Sequence, residues 1–221
     1  MTSLFVTGTD TDVGKTFISA ALIGLLKKKG LRVAAMKPIA SGCNTTEAGL
    51  RNDDALQLIQ YANVDLPYDI INPYAFQAAI APHIAAQQNN INIDLNKIKQ
   101  NFELIQQQSD AVVVEGAGGW LVPINNTQTM ADLAKILNLP IILVVGIRLG
   151  CINHALLTVE AIKQSGLPLM GWVANNIEIN AQSEQIVSML KLKIAAPLVA
   201  EVPFLSTQGM TVDYINEAYF I

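Results

Sequence analysis

Charge is scarce in this 221-residue chain: Asp, Glu, Lys and Arg make up 14% of it, against 51% hydrophobic residues. That balance raises the question of a membrane-spanning chain. Positive charge is the scarcer sign, with 14 Lys and Arg against 18 Asp and Glu. The net charge of −4 and a pI near 5.1 speak against nucleic acid as a partner. The only basic run, Lys27-Lys28-Lys29, closes a helical pattern, where cations suit the helix dipole. Cysteine is nearly absent. Cys43 and Cys151 stand far apart with no paired spacing, so a reduced, cytoplasmic protein is expected. His83 and His154 lack metal-ligand spacing, and no Ser-His-Asp or Cys-His arrangement is apparent. Long hydrophobic runs are missing as well. Mean hydropathy is +0.35, yet the longest apolar run, Leu139 to Ile147, falls short of the roughly 20 residues of a membrane-spanning helix. Parallel strands buried on both faces account for the hydrophobicity instead. Met1 to Thr9 shows neither a basic stretch nor a cleavage site, so no signal peptide is expected.

What is present begins at once. Leu4-Phe5-Val6-Thr7 is an apolar, β-prone run feeding Gly8-Thr9-Asp10-Thr11-Asp12-Val13-Gly14-Lys15-Thr16, after which a helical pattern runs from Phe17 to Lys29. Strand, loop and helix in that order are the context of a nucleotide-phosphate loop. Gly8 and Gly14 let backbone N–H groups turn onto phosphate oxygens, Lys15 adds a point charge, and the Thr16 hydroxyl suits Mg²⁺. Five residues rather than the usual four separate the two glycines. The length suits a single α/β domain over residues 1–221.

The remaining pattern alternates strands and helices. Helix 1 is expected to stop at Gly30, a C′ glycine, with strands at Leu31 to Met36, Ala111 to Val114, Pro140 to Ile147, Leu169 to Ala174 and Pro197 to Val202. Helices are expected at Asp53 to Tyr61, after Asp94 as N-cap, at Thr129 to Leu137, at Ile152 to Gln164 and at Gln182 to Leu192. Residues 39–52 read as turns, and 63–93 as a long excursion with about one helical turn. Right-handed βαβ units and a mainly parallel sheet flanked by helices follow.

Ligands bind at the carboxyl ends of such strands, and polar residues gather there: the phosphate loop, Lys37 with Ser41 beyond it, Glu115, and Asn175-Asn176. Glu115 ends four apolar residues, where a carboxylate can face Mg²⁺ across the phosphate loop. Gly116-Ala117-Gly118-Gly119 lets backbone pass close to a ligand. Asp53-Asp54 reads either as a second metal carboxylate or as a helix-start pair favoured by the dipole. Lys37, held extended before Pro38, suits an anionic intermediate, while a solvent-facing Lys reads equally well from position alone.

Together these blocks resemble the dethiobiotin synthetase family, within the phosphate-loop NTPase fold. The matching segments are Val6 to Thr16, Lys37 to Gly42, Leu50 to Ala55, Asn72 to Phe76, Val114 to Trp120, Leu149 to Ala155, Gly171 to Asn175 and Glu201 to Leu205. The long phosphate loop is this family's form, and Leu149 to Ala155 is foreign to generic phosphate-loop ATPases. The resemblance implies an ATP-dependent cyclo-ligase acting on 7,8-diaminopelargonate and CO₂ or bicarbonate in biotin biosynthesis, through a carbamate and a carbamic–phosphoric anhydride.

It also implies roles for individual residues. Lys15 and Lys37 would be catalytic, offsetting charge on the carbamate and the transferring phosphoryl group. Asp12, Val13, Gly14, Lys15, Thr16 and Phe17 would wrap the phosphates of ATP, the co-substrate. Gly116, Ala117 and Gly118 would lie against the nucleotide. Thr16, Asp54 and Glu115 would hold Mg²⁺. Asn175 and Asn176 would meet adenine, with Pro203, Phe204 and Leu205 lining the base. Ser41 would contact the diamine or carbamate. Gly150, Cys151, Ile152 and Asn153 precede a helix and would take the substrate carboxylate, contributed by the partner subunit of a homodimer. The stretch Gln77 to His83 would lie on the substrate side, with contacts near Ile80 and Ala81, and in it Ala79 stands where the family usually has Pro.

Two other readings compete. A cobyrinic-acid-type amidoligase needs a glutaminase domain for which the chain has no room. A nucleotide-switched partitioning or cell-division ATPase carries a second Lys early in the phosphate loop, where this chain has Asp10, and commonly a basic surface or membrane-binding tail. The segment Asp213 to Ile221 is acidic, without Lys or Arg.

Overall fold

The computed structural model describes residues 3–205 and 212–220. Met1, Thr2 and Ile221, which enter the terminal readings above, lie outside these. β1 (Leu4–Gly8) leads through the phosphate loop to α1 (Lys15–Lys28) and β2 (Val33–Met36). The short strands β3 (Ile39–Ala40), β4 (Asn44–Thr46) and β5 (Gly49–Arg51) precede α2 (Asp53–Tyr61). Next come α3 (Tyr68–Ile71), β6 (Tyr74–Ala75), α4 (Pro82–Gln88) and α5 (Leu95–Gln108). The chain then alternates β7 (Ala111–Gly119), α6 (Met130–Leu137), β8 (Ile141–Ile147), α7 (Cys151–Gln164), β9 (Leu169–Asn176), α8 (Ser183–Lys193) and β10 (Leu198–Val202). Two 3₁₀ turns, Val212–Tyr214 and Glu217–Phe220, follow.

Six strands form one sheet in the order β10-β9-β8-β1-β7-β2, and every pairing in it is parallel. Successive side chains of a strand point to opposite faces, and the core divides accordingly. Phe5, Val112, Val114, Leu143 and Val145 face a layer that includes α5, α6, α7 and α8. Leu4, Val6, Val113, Ile142 and Val144 face α1, together with Leu58, Ile215 and Phe220. This two-sided burial explains the continuous apolar strands. Among the described residues no helix is long and apolar enough to cross a membrane.

Several expectations need correction. The 63–93 excursion holds two short helices and a strand, because its Pro and Asn residues start and close elements. Pro82 occupies the first turn of α4, where a missing N–H costs nothing, and Asn90 takes the left-handed conformation just beyond it. Residues 39–52 contain β3, paired with β6, and the antiparallel β4–β5 hairpin. Leu31 and Arg32 precede β2, since the Arg32 N–H is taken by Asp110 Oδ2 at 2.8 Å. β7 does not end at Glu115 but runs on to Gly119, which pairs with Gly8 across a register shift. Glu115 therefore sits mid-strand and fully buried.

Candidate active site

The carboxyl edge of the sheet opens on a cleft of about 960 Å³ between the phosphate loop, β2, α2, β7 and the 79–82 segment. The loop follows β1 and is held early by Thr9 N donating to the Val144 carbonyl at 3.0 Å. Asp12 takes a positive φ of 58° and Gly14 one of 89°. The second is a conformation that glycine adopts without steric cost, and it begins α1 without a side-chain cap. The first N–H groups of α1 are thereby left free for an anion. Lys15 is buried and donates to the Asp10 carbonyl at 2.8 Å. Burial, then the nearby Lys37, lowers its pKa to about 8, against the opposing pull of Glu115, Asp54 and Asp12.

Lys37 is not the solvent-facing lysine that position alone allowed. It is 4% exposed, and its Nζ lies 2.5 Å from Glu115 Oε1 and 3.1 Å from Asp54 Oδ2. Burial alone would push this ammonium down, but Glu115 and Asp54 outweigh it and hold its pKa above the ordinary lysine value. Burial likewise pushes the Asp54 carboxyl up, and Lys37, Thr16 and Lys15 together bring it below its usual range. Thr16 Oγ1 donates to Glu115 Oε1 at 2.9 Å. Two lysines, two carboxylates and a hydroxyl thus face one space.

Local hydrogen bonds set these positions. Lys37 accepts from Asn72 Nδ2 at 2.6 Å through its backbone carbonyl. Tyr68 donates its hydroxyl to Asn72 Oδ1 and accepts from Asn52 N. Asn52 in turn caps α2, its Oδ1 accepting from Ala55 N at 3.1 Å, which fixes Asp54 in the first turn. One chain of contacts therefore places Lys37 and Asp54 together.

The oxygens of Thr16, Asp54 and Glu115 are hard donors suited to Mg²⁺. Glu115 Oε2 is buried with no hydrogen-bond partner, as a group awaiting a cation would be. Among the described residues no three His, Cys or carboxylate side chains gather as a metal cage. An ion here would complete its shell with phosphate oxygens and water, the usual habit of Mg²⁺. The residues fit the ion.

A family profile described as an AAA domain matches residues 2–209. The ATP-dependent dethiobiotin synthetase BioD of Cellvibrio japonicus is 48% identical over 205 residues, covering 92% of this chain and 90% of that protein. The enzyme of the same name from Aliivibrio fischeri is 44% identical over 204 residues, with 92% and 90% covered. The chain belongs to the dethiobiotin synthetase family. It is an enzyme of the ligase class. Solved structures show the same phosphate-loop NTPase fold at low identity. The MinD cell division protein of Aquifex aeolicus matches with a TM-score of 0.56 at 16% identity, over 93% of this chain and 84% of that one. The signal recognition particle receptor FtsY of Elizabethkingia anophelis matches with a TM-score of 0.52 at 15% identity, over 99% and 63%.

Of the residues that the family resemblance singles out, Asp12, Gly14, Lys15, Thr16, Phe17, Lys37, Ser41, Asp54, Glu115, Ala117 and Gly118 line the cleft. Gly116 offers its carbonyl to Lys37 Nζ at 3.4 Å. Ser41 Oγ is buried without a partner. Val13 points into the core rather than the cleft. Away from the cleft, Asn176 Nδ2 donates to the Val202 carbonyl at 2.7 Å, leaving Oδ1 buried and unpartnered. Pro203, Phe204 and Leu205 follow β10, with Phe204 exposed. Asn175 donates to the Val13 carbonyl. Gly150, Cys151, Ile152 and Asn153 open α7 and do not line this cleft. Ala79, Ile80, Ala81 and Pro82 of the substrate-side stretch line it as well, and Asn52, Gln57 and Val122 do so without having been anticipated. Gln57 alone carried a signal, since it lies one helical turn after Asp54.

Proposed function

We propose that this chain makes dethiobiotin from 7,8-diaminopelargonate, CO₂ and ATP in biotin biosynthesis, as one cytoplasmic 1–221 domain working in a homodimer. The observation that carries the reading is the pair of buried ammonium groups, Lys15 and Lys37, facing one cleft with Thr16, Asp54 and Glu115. The second lysine of a nucleotide-switched ATPase belongs to the phosphate loop, whereas Lys37 reaches the cleft from the end of β2.

The chemistry balances in three steps. A substrate amine adds to CO₂, forming an N–C bond and losing a proton to give a carbamate. A carbamate oxygen attacks the γ-phosphorus of ATP, and the bond to the ADP oxygen breaks. The second amine attacks the carbamoyl carbon, expels phosphate and loses a proton as the ureido ring closes. Lys37 offsets the carbamate's charge, and Lys15 that of the transferring phosphoryl group, at fixed positions that need no reorganisation. Ser41 offers its free hydroxyl to the diamine or carbamate. The peptide N–H groups from Asp12 to Thr16 orient the phosphates. Thr16, Asp54 and Glu115 would hold Mg²⁺, which would supply Lewis-acid stabilisation of phosphate oxygens. Asn175 and Asn176, with Pro203 to Leu205, hold the base. Gly150 to Asn153 of a partner subunit receive the substrate carboxylate at a helix N-terminus.

The test is a mass-spectrometric assay with diaminopelargonate, bicarbonate, Mg²⁺ and ATP, each omitted in turn. Dethiobiotin should form only in the complete mixture, with phosphate released in step. ATP hydrolysis without diamine, and no ureido product, would point instead to a nucleotide-switched ATPase.

A further inference from the structure

The part of the phosphate loop just before Lys15 is gripped from three sides. Val13 is 1% exposed, its side chain set between two glycines. A Cβ at Gly8 would come 2.6 Å from Val13 Cγ2, and one at Gly146 would come 2.9 Å from Val13 Cγ1. The third grip is polar. Asn175 Nδ2 donates to the Val13 carbonyl at 2.8 Å in buried surroundings. A Cβ on Gly14 would run into that same nitrogen, so the Asn175 amide lies directly on the turn that begins α1. Sheet register places it there: Asn175 pairs with Gly146 across β8 and β9, and β8 pairs with β1 beneath the loop.

We infer that Asn175 is a positioning residue for the phosphate loop, in addition to any contact with the base. In a planar trans peptide the C=O and the following N–H point in opposite directions. Holding the Val13 carbonyl on β9 therefore turns the Gly14 N–H away from β9 and fixes the peptide that starts the anion-binding turn. Phosphate affinity then depends on Asn175 whatever base the nucleotide carries. The inference rests on the reading that this loop holds nucleotide phosphates.

The test compares ATP with inorganic tripolyphosphate, which has no base, by titration calorimetry with Mg²⁺. Asn175→Leu keeps the side chain's size over Gly14 and removes the donor, and Asn175→Ala removes both. Thermal unfolding identifies a variant that has not folded, and the near-isosteric Leu variant keeps the test open if the Ala variant fails. One hydrogen bond lost from the loop should weaken tripolyphosphate by a factor of about 3 to 10, and ATP by at least as much. Wild-type tripolyphosphate affinity in the folded Leu variant, with ATP binding alone weakened, would overturn the inference and leave Asn175 a base reader only. Failure of the wild-type chain to bind either ligand would instead overturn the nucleotide reading beneath it.

Discussion

Lys37→Met is the sharpest perturbation that this site permits. Methionine keeps most of the side-chain length and removes the ammonium from between Glu115 and Asp54. The two carboxylates differ greatly in what they lose. The Asp54 side chain is 46% exposed and is solvated without Lys37, so that pair is worth about 0–1 kcal/mol. The Glu115 side chain is 0% exposed, with Lys37 at 2.5 Å, and its remaining neutral partner is the Thr16 hydroxyl. Removing one member of a buried pair costs about 3–5 kcal/mol, because the other charge stays buried uncompensated. For a chain of this size that is a fall in Tm of roughly 6–20 °C. Urea unfolding at pH 7 without nucleotide or divalent cation measures it. Adding Glu115→Gln removes the stranded charge, so the double variant should recover about 2 kcal/mol or more of the loss. Ring closure should be abolished in both. A loss below about 1 kcal/mol in Lys37→Met, or no recovery in the double variant, would refute a buried charge pair as the organising element.

Other perturbations separate the parts. Gly146→Ala should push Val13 out of its seat, costing about 1–3 kcal/mol of stability and weakening nucleotide binding, read by denaturation and calorimetry. Asp54→Asn should change stability by no more than about 1 kcal/mol, yet raise the magnesium concentration for half-maximal turnover; an unchanged requirement would remove Asp54 from the metal. The capping box of α6 predicts a pH effect. Burial raises the Asp132 carboxyl, but the Thr129 N–H and hydroxyl and Lys135 together bring its pKa below 3.8. The folded group holds its proton less tightly than the unfolded one, so its contribution is full above pH 3.8 and fades as pH falls through the lower folded value. Asp132→Asn should therefore cost stability at pH 7, and the gap from wild type should close below about pH 4.

Much of this architecture was legible because apolar runs and glycine or proline punctuation report local structure directly. Thr7-Gly8 leading to Gly14-Lys15-Thr16 marked the phosphate loop, and the runs at Ala111 and Ile141 marked the central strands. Asp94 capped α5 as its sequence position suggests, with Ile98, Phe102 and Ile105 buried. The misread stretches depend on partners distant in sequence. β3 exists only because Tyr74 and Ala75 come alongside it, and no periodicity in two residues could announce that. Glu115 looked like a strand end because glycines follow it, while the bare backbone from Gly116 to Gly119 continues the strand beside β1. Asn52, Tyr68 and Asn72, which together position Lys37, are separated by up to twenty residues and meet only in the fold. Val13 reads as an ordinary loop aliphatic until Gly8 and Gly146 are seen to make room for it.

The central claim is that a carbamate oxygen, activated between Lys37 and Lys15, attacks the γ-phosphate. Oxygen labelling tests it most directly. The reaction is run for a short time with ¹⁸O-bicarbonate in unlabelled water, and the released phosphate is analysed by mass spectrometry. The account predicts that phosphate formed with each dethiobiotin carries one oxygen from the bicarbonate. Phosphate whose added oxygen comes from water, while dethiobiotin still forms, would contradict it.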